Sequence, residues 1–522
     1  MRNLGKVLFF LSSALLPIRP CLASDDARGP TSNDFLSALH EEVQPTAINW
    51  PYPEYLPPPS MDPWYIPPSG WELSSPGTPL RIRPYAYPTI NIKNCRDTFQ
   101  ILYRSSDTHG NPSWSVTTVF VPASHPEPSD ANGDGPRPKL RFVSYQVPTD
   151  SVSPNAAPSY LLQAREPYGE MRDLLARGWF VATPDFEGPT ASFAAGKQAA
   201  HATLDGIRAI RQAAASPLLT SFNLRPPAAA AGATAEGEGE GEGGGQDEDG
   251  MRFAIWGYSG GAFATAFALE MLPTYAPDLL PSSPPPSPIA DDDKPIRATI
   301  VGGAVGGPAP NLTTVFYAMN KRDTAGLAIA SLVGVTMQWP LARQFLLSRL
   351  KRDGPYNATG FLAVERMTGV ESLIVYAKHD VFEYFLDGEK DVFDPIVQAV
   401  IDADSVLGVY GPLSAEVPMF VYHAIQDEIS AIEETDDLVK EYCDKGGRVL
   451  YHRNELGTHN DELWSGRLRT MDFLAHVLED KRSDNMTVPG VGECRSENVK
   501  VPLDVLELLP DWWWTQGAAA PK

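Results

Sequence analysis

Basic residues are in short supply. The chain of 522 residues sets 42 Lys and Arg against 65 Asp and Glu, a net charge of −23 at pH 7. Such a surface repels phosphate backbones and anionic headgroups, which argues against nucleic-acid binding. Cysteine is scarcer, at four in the chain. Long hydrophobic runs are missing too. Val7 to Leu16 is far shorter than the about 20 residues that span a bilayer. The most apolar stretch after it, Ala325 to Val335, soon meets Gln338 and Trp339-Pro340. An integral membrane span is therefore not expected. Repeats of the kind that build a β-propeller are also lacking. What remains, 43% hydrophobic and 20% charged residues, is the composition of a globular protein.

The N-terminus reads as a secretory signal over 1–23. Arg2 and Lys6 precede the short apolar segment, and Cys21-Leu22-Ala23 places small residues for cleavage. Its removal leaves Cys95, Cys443 and Cys494 in an oxidising compartment. Cys443 and Cys494, nearest in sequence, are the expected disulfide, and Cys95 is left over. Sequons at Asn311, Asn357 and Asn485 are glycosylation candidates consistent with secretion. Residues 24–87 are proline-rich and read as an extended arm, whose Trp50, Trp64, Tyr65 and Trp71 are expected to pack on the main body.

Strand and helix signals then alternate. Phe99–Arg104 and Ser115–Val121 form a hairpin, and Leu140–Val147 and Trp179–Thr183 read as buried strands. Helical periodicity covers Tyr168–Arg177 and Ala199–Ala215, and further strands are expected at Met251–Trp256, Ala298–Val301, Met419–Ala424 and Arg448–Tyr451. This is the pattern of an α/β protein with a mostly parallel central sheet flanked by helices. One large domain over 88–302 and 417–500 fits it better than the roughly two to four domains that length alone allows. Two low-complexity inserts, 226–250 and 281–295, each lead from a helix into a strand. They are thus expected at the strands' N-terminal edge, away from any site at the carboxyl ends. The stretch 303–416 leaves a strand's carboxyl end and is predicted to form a helical cap or lid. Its apolar segment 325–335 reads either as a buried cap helix or as a lid that shows an apolar face to lipid. Residues 501–522 form a tail.

One motif organises the whole. Met251–Trp256 leads into Gly257-Tyr-Ser-Gly-Gly261, followed by the helix former Ala262–Leu272. Strand, glycine turn and helix around G-x-S-x-G make a nucleophile elbow, with Ser259 on the turn and backbone N–H groups at the helix start facing a developing oxyanion. A serine hydroxyl needs a base, oriented in turn by a carboxylate, and elbow enzymes carry them in the order Ser, acid, His. Five histidines follow Ser259. His423 and His452 lie in strands, His476 on a helix and His379 in the cap. His459 follows a late strand by a short loop, where the base belongs. The acid is expected just past the preceding strand, at Asp427, with Glu428 its near rival and Asp380 a weaker one.

Taken together, Gly257-Tyr-Ser-Gly-Gly261, His423-Ala-Ile-Gln-Asp-Glu428 and Gly457-Thr-His459 resemble the motif set of the secreted fungal lipases of the lipase A type. Asp185-Phe-Glu-Gly188 and Thr203-Leu-Asp-Gly-Ile-Arg208 extend the similarity, which runs from about Trp64 to Cys494. The resemblance implies an α/β-hydrolase fold with a helical cap, cleavage of acylglycerol esters at an oil–water interface, and a disulfide matching Cys443 with Cys494. It also implies Ser259, Asp427 and His459 as catalytic residues, and an oxyanion site of the Gly260 N–H with Asp150. An ionised Asp150 can only accept hydrogen bonds, so that role requires a protonated carboxyl or its backbone N–H. No metal or organic cofactor is called for. A soluble-ester esterase, a serine peptidase of the same fold and a non-catalytic binding protein are the rivals.

Overall fold

In the computed structural model, residues 57–84, 93–124, 140–162, 169–214, 250–284, 296–480 and 486–503 are described. The signal segment, Trp50 of the arm, Asn485 and most of the two low-complexity inserts and the tail lie outside them.

A ten-stranded sheet carries the molecule. Its strands are β1 (Pro79–Pro84), β2 (Cys95–Ser106), β3 (Pro112–Pro122), β4 (Leu140–Gln146), β5 (Phe180–Pro184), β6 (Gly250–Tyr258), β7 (Arg297–Gly306), β8 (Met419–Ala424), β9 (Val449–Asn454) and β10 (Cys494–Val499). They are ordered β1-β2-β3-β5-β4-β6-β7-β8-β9-β10. Pairing is antiparallel from β1 to β5 across β3 and parallel from there to β10. Helices cover both faces, so the central strands are apolar almost throughout rather than alternating. Along β6, Met251, Phe253 and Ile255 join a core beneath α2 (Gly196–Ala213) and α3 (Gly260–Tyr275), while Ala254, Trp256 and Tyr258 join one beneath α1 (Gly169–Ala176) and α11 (Arg467–Glu479). β6 is thus central, paired on both sides and buried on both faces.

Two strands depart from the sequence expectation. Residues 79–84, assigned to an extended arm, are β1, paired with β2 at the sheet edge. Its two prolines hid it, yet an edge strand tolerates proline because one side of it needs no donors. Just before it, Tyr65 is buried against Leu102 and Val116, with Trp64 and Trp114 packed beside it. At the far edge, β10 pairs parallel to β9 and is tied by the Cys443–Cys494 disulfide to the end of α9 (Ile432–Asp444). Cys95 is free and half-buried, and burial pushes its thiol up to about 12.

Between β7 and β8 stand the helices of the cap: α4 (Leu312–Met319), α5 (Ala325–Met337), α6 (Pro340–Arg349), α7 (Gly369–Val375) and α8 (Pro395–Asp404). They close over a second hydrophobic core, which Val152 of the loop after β4 joins and against which Phe193 and Ala194 of the loop after β5 pack. α5 is that core's centre. It is buried from Ala325 to Thr336 in this structure, as a buried cap helix would be. Gly334 is where α5 crosses the loop after β5: a Cβ there would meet the backbone of Phe193 at 2.4 Å. The joint between α5 and α6 is fixed to the sheet domain through Asp404, which accepts from Thr108 Oγ1 at 2.7 Å, Lys197 N at 3.0 Å and Trp339 Nε1 at 3.2 Å. Both described sequon asparagines cap helices of this segment, Asn311 accepting from Thr313 N at the start of α4 and Asn357 from Gly360 N at the start of a further short helix, Ala358–Leu362. Among the described residues, no helix is long and apolar enough to cross a membrane.

Candidate active site

β6 ends at Tyr258 and α3 begins at Gly260, so Ser259 alone makes the turn. It adopts φ 55° and ψ −122°, a conformation that costs an L residue about 1–3 kcal/mol and persists only where the surroundings enforce it. Its N–H donates to Gly306 O of β7 at 2.9 Å, and its carbonyl accepts from Phe263 N of α3 at 3.0 Å. The flanking glycines are sterically required. A Cβ on Gly257 would lie 2.1 Å from Gly261 O, and one on Gly261 would lie 2.0 Å from Gln146 O of β4. Strand and helix thus approach too closely for any side chain, and Ser259 is left standing clear.

His459 reaches this serine from β9. After the strand, Gly457 turns the chain at φ 87°, and Thr458 with Asp461 forms a capping box that starts α10 (His459–Ser465). His459 is therefore the first residue of that helix. Its Nε2 lies 3.0 Å from Ser259 Oγ, and its Nδ1 lies 2.6 Å from Asp427 Oδ2. Its backbone is held at both polar groups: the N–H donates to Glu428 Oε2 at 3.1 Å, and the carbonyl accepts from the Tyr258 hydroxyl.

Asp427 sits three residues past β8 and is saturated with donors. Oδ1 accepts from Ile429 N at 2.8 Å and Ser430 N at 2.9 Å. Oδ2 accepts from His459 and also from His423 Nε2, 2.9 Å away. Burial alone would raise its carboxyl, but the charge of His459 and the hydrogen bonds of both histidines outweigh it and hold Asp427 far below the usual carboxylate range. Burial likewise works to lower His459, and the neighbouring Asp427 carboxylate wins and raises it. The acid is thus ionised and the imidazole is made a stronger base, the arrangement needed to draw the proton from Ser259.

The rival acids are placed elsewhere. Glu428 spends its carboxylate on the His459 backbone rather than on the ring. Asp380 caps a helical turn in the cap and pairs with Lys321 at 3.0 Å. His379 is also in the cap, against the Tyr384 hydroxyl. His423, read from sequence as a strand residue and as the start of the motif that ends in Asp427 and Glu428, was given no role of its own there. Its spacing four residues before Asp427 was the available signal.

Asp150, in the loop after β4, takes φ 48° and turns its carboxyl toward the start of α3. A Cβ on Gly260 would lie 2.0 Å from Asp150 Oδ1. That oxygen is buried and has no hydrogen-bond partner among the described residues. Burial pushes the carboxyl up to about 6, against the pull of His459. Glu187, buried nearby, is also held well above the usual carboxylate range, by burial first and then by the charge of Asp150. The loop is braced from the cap, where Ser151 Oγ donates to Met367 O at 2.7 Å. Phe193 completes the wall, its ring 3.2 Å from the same Gly260 Cβ position. Among the described residues, no cluster of His, Cys, Asp and Glu side chains is arranged to hold a metal ion.

The model of the family described as "Secretory lipase" matches residues 168–222 and 245–485, more than half of the chain. The chain belongs to the secretory lipase family. A relative in Fusarium sporotrichioides, named trichothecene C-3 esterase, is 35% identical over 82% of this chain and 86% of its own length. Lipase A of Arthroderma benhamiae is 33% identical over 77% of this chain and 76% of its own length. The solved structure of Candida antarctica lipase A superposes with a TM-score of 0.62 at 24% identity, covering 88% of this chain and 95% of that one. This secretory lipase therefore has the α/β-hydrolase fold that the order of strand, elbow and helix led one to expect, and it is an ester hydrolase of the lipase and esterase kind.

Proposed function

We propose that this secretory lipase hydrolyses carboxylic esters through an acyl-enzyme on Ser259. His459 Nε2 takes the hydroxyl proton as Ser259 Oγ attacks the carbonyl carbon. The imidazolium that forms is stabilised by Asp427, which also keeps the proton on Nδ1. The carbonyl oxygen, now negative, points at the start of α3, where the Gly260 N–H donates to it. Asp150 supplies a second donor, through its protonated carboxyl or its backbone N–H. His459 then passes its proton to the leaving alcohol and draws one from water, which attacks the acyl carbon and frees the acid and Ser259. The observation that carries this reading is the unbroken line Ser259 Oγ, His459 Nε2, His459 Nδ1, Asp427 Oδ2, with links of 3.0 and 2.6 Å.

We read the physiological substrate as triacylglycerol. The family description supports this, and so do the cap's exposed aliphatic side chains, among them Leu341 (73% exposed), Ile374 and Leu386 (53% each). A second reading, a soluble small-molecule ester, is supported by the 35% identical relative named trichothecene C-3 esterase. The burial of α5 is in its favour too, since that helix offers no apolar face to lipid. Secretion is inferred from the signal-like residues 1–23. The purified chain is expected to release p-nitrophenol from p-nitrophenyl butyrate, and Ser259→Ala to abolish this. Turnover in that variant equal to wild type would remove the assignment.

A further inference from the structure

Asp427 Oδ2 has two imidazole neighbours, and only one of them faces the nucleophile. The other, His423, is in β8 with no exposure to solvent. Its Nε2 lies 2.9 Å from Asp427 Oδ2, and its Nδ1 lies 2.9 Å from Thr435 Oγ1 on α9. Thr435 and the Asp427 side chain are as fully buried as His423. An ionised carboxylate can only accept, so in a His423 ring carrying one proton that proton is on Nε2. Nδ1 is then an acceptor, and the Thr435 hydroxyl is the donor that satisfies it. The chain of donation runs one way, from Thr435 to His423 to Asp427, and ends on the same oxygen that receives the His459 Nδ1 proton.

We propose that His423 is a positioning residue for catalysis, with Thr435 fixing its tautomer. This rests on the triad reading above. The two backbone donors, Ile429 and Ser430, hold Oδ1, and without His423 the other oxygen is steered by His459 alone. A carboxylate free to rotate lets the imidazole swing away from Ser259. The second hydrogen bond also tempers the charge on Oδ2, so that Asp427 orients His459 without binding its proton too strongly to release. The other ionisable groups around the pair are Glu428 beside His459, Asp150 across the nucleophile, Tyr258 from β6, and Arg453, the register neighbour of His423 on β9. Arg453 is engaged by Asp436 of α9 at 2.9 Å. None of these donates a hydrogen bond to Asp427 Oδ2 in the structure, so none replaces His423.

The test compares His423→Leu, His423→Gln and Thr435→Val with wild type and Ser259→Ala, following kcat, KM and the pH profile of kcat/KM on p-nitrophenyl butyrate together with Tm. Leu removes the donor. It is expected to lower kcat about tenfold or more with KM little changed, because the loss falls on the chemical step. With more charge left on Asp427, His459 keeps its proton to higher pH, so the acid limb is expected to move up by about half a unit. Gln returns an N–H near the Nε2 position and is expected to recover most of kcat and return the limb. Thr435→Val keeps the ring and frees its tautomer, so it should show a smaller loss of the same kind. Should the Leu variant fail to fold, Gln and Thr435→Val decide alone, the first near wild type and the second impaired in kcat. The proposal is overturned if Leu leaves kcat and the acid limb unchanged, if Gln does no better than Leu, or if Thr435→Val matches wild type. Ser259→Ala separates the two levels: activity surviving there sinks the triad reading, whereas a dead Ser259→Ala beside an unimpaired His423→Leu sinks only the role of His423.

Discussion

At Asp150 a buried carboxyl oxygen stands against the glycine whose N–H should face an oxyanion. Ionised, it would repel the charge it is meant to stabilise, and only a donor at that place helps. Asp150→Asn keeps a donor whatever the pH, while Asp150→Ala has none on the side chain. The expected result is that Asn retains most of kcat and Ala loses about 10²–10³-fold, the usual cost of one oxyanion donor. Equal activity in both would assign the donor to the backbone N–H instead. Much at this scale was legible in the sequence. Ser259, Asp427 and His459 could be found because each stands in a loop just past a strand's carboxyl end and because their order in the chain is fixed by the elbow architecture. His423 and Glu187 were not legible as site residues. Each faces a neighbouring carboxylate rather than the reacting atoms, and a strand histidine or a turn glutamate has no pattern of its own until the fold brings its partner up.

Among the elements, α1 presents a testable liability. Glu170 is fully buried near its start, and among the described residues no other residue is hydrogen-bonded to its carboxyl oxygens. Burial pushes it up to about 7, with its own backbone N–H and then the charge of Arg467 opposing only in part. Its folded value lies above its unfolded one, so the native state binds the proton more tightly, and ionising it costs stability as pH rises through that range. Glu170→Gln should therefore be more stable than wild type at pH 8, by on the order of 2–3 kcal/mol. The gain should fade as the pH drops toward 4, where both states of wild type are protonated. Thermal denaturation of the two proteins at pH 5 and pH 8 checks this, and a gap independent of pH would contradict it. The buried parallel strands were readable as apolar runs of strand length, and the helices from their period. The two edge strands were not. β1 is masked by its prolines, and β10, Cys-Arg-Ser-Glu-Asn-Val, carries almost no apolar signal because most of it is exposed and a disulfide helps to hold it.

For the whole molecule, the helices between β7 and β8 leave the sheet at the same end as Ser259, and on the proposed reading they select which esters reach it. They close over the second core, and their α5–α6 joint is fixed to the sheet domain by Asp404, so opening is expected to fall on segments outside that joint. The position of the cap could be derived from chain order, since it leaves β7 at the same end of the sheet as the elbow. The packing of α5 could not, because an apolar helix reads the same whether it faces lipid or a neighbouring helix. If the substrate is triacylglycerol, activity on tributyrin should rise sharply as the emulsion forms. A rate that simply saturates with dissolved ester would favour the small-ester reading. Both readings depend on a covalent intermediate at the elbow, and trapping it is the most direct measurement. A p-nitrophenyl alkylphosphonate resembles the tetrahedral state and should add one phosphonyl group to the chain with loss of activity. Peptide mass spectrometry is expected to find it on Ser259, with no labelling in His459→Ala under the same conditions. A phosphonyl group on any other residue, or an active enzyme that takes up none, would contradict the account.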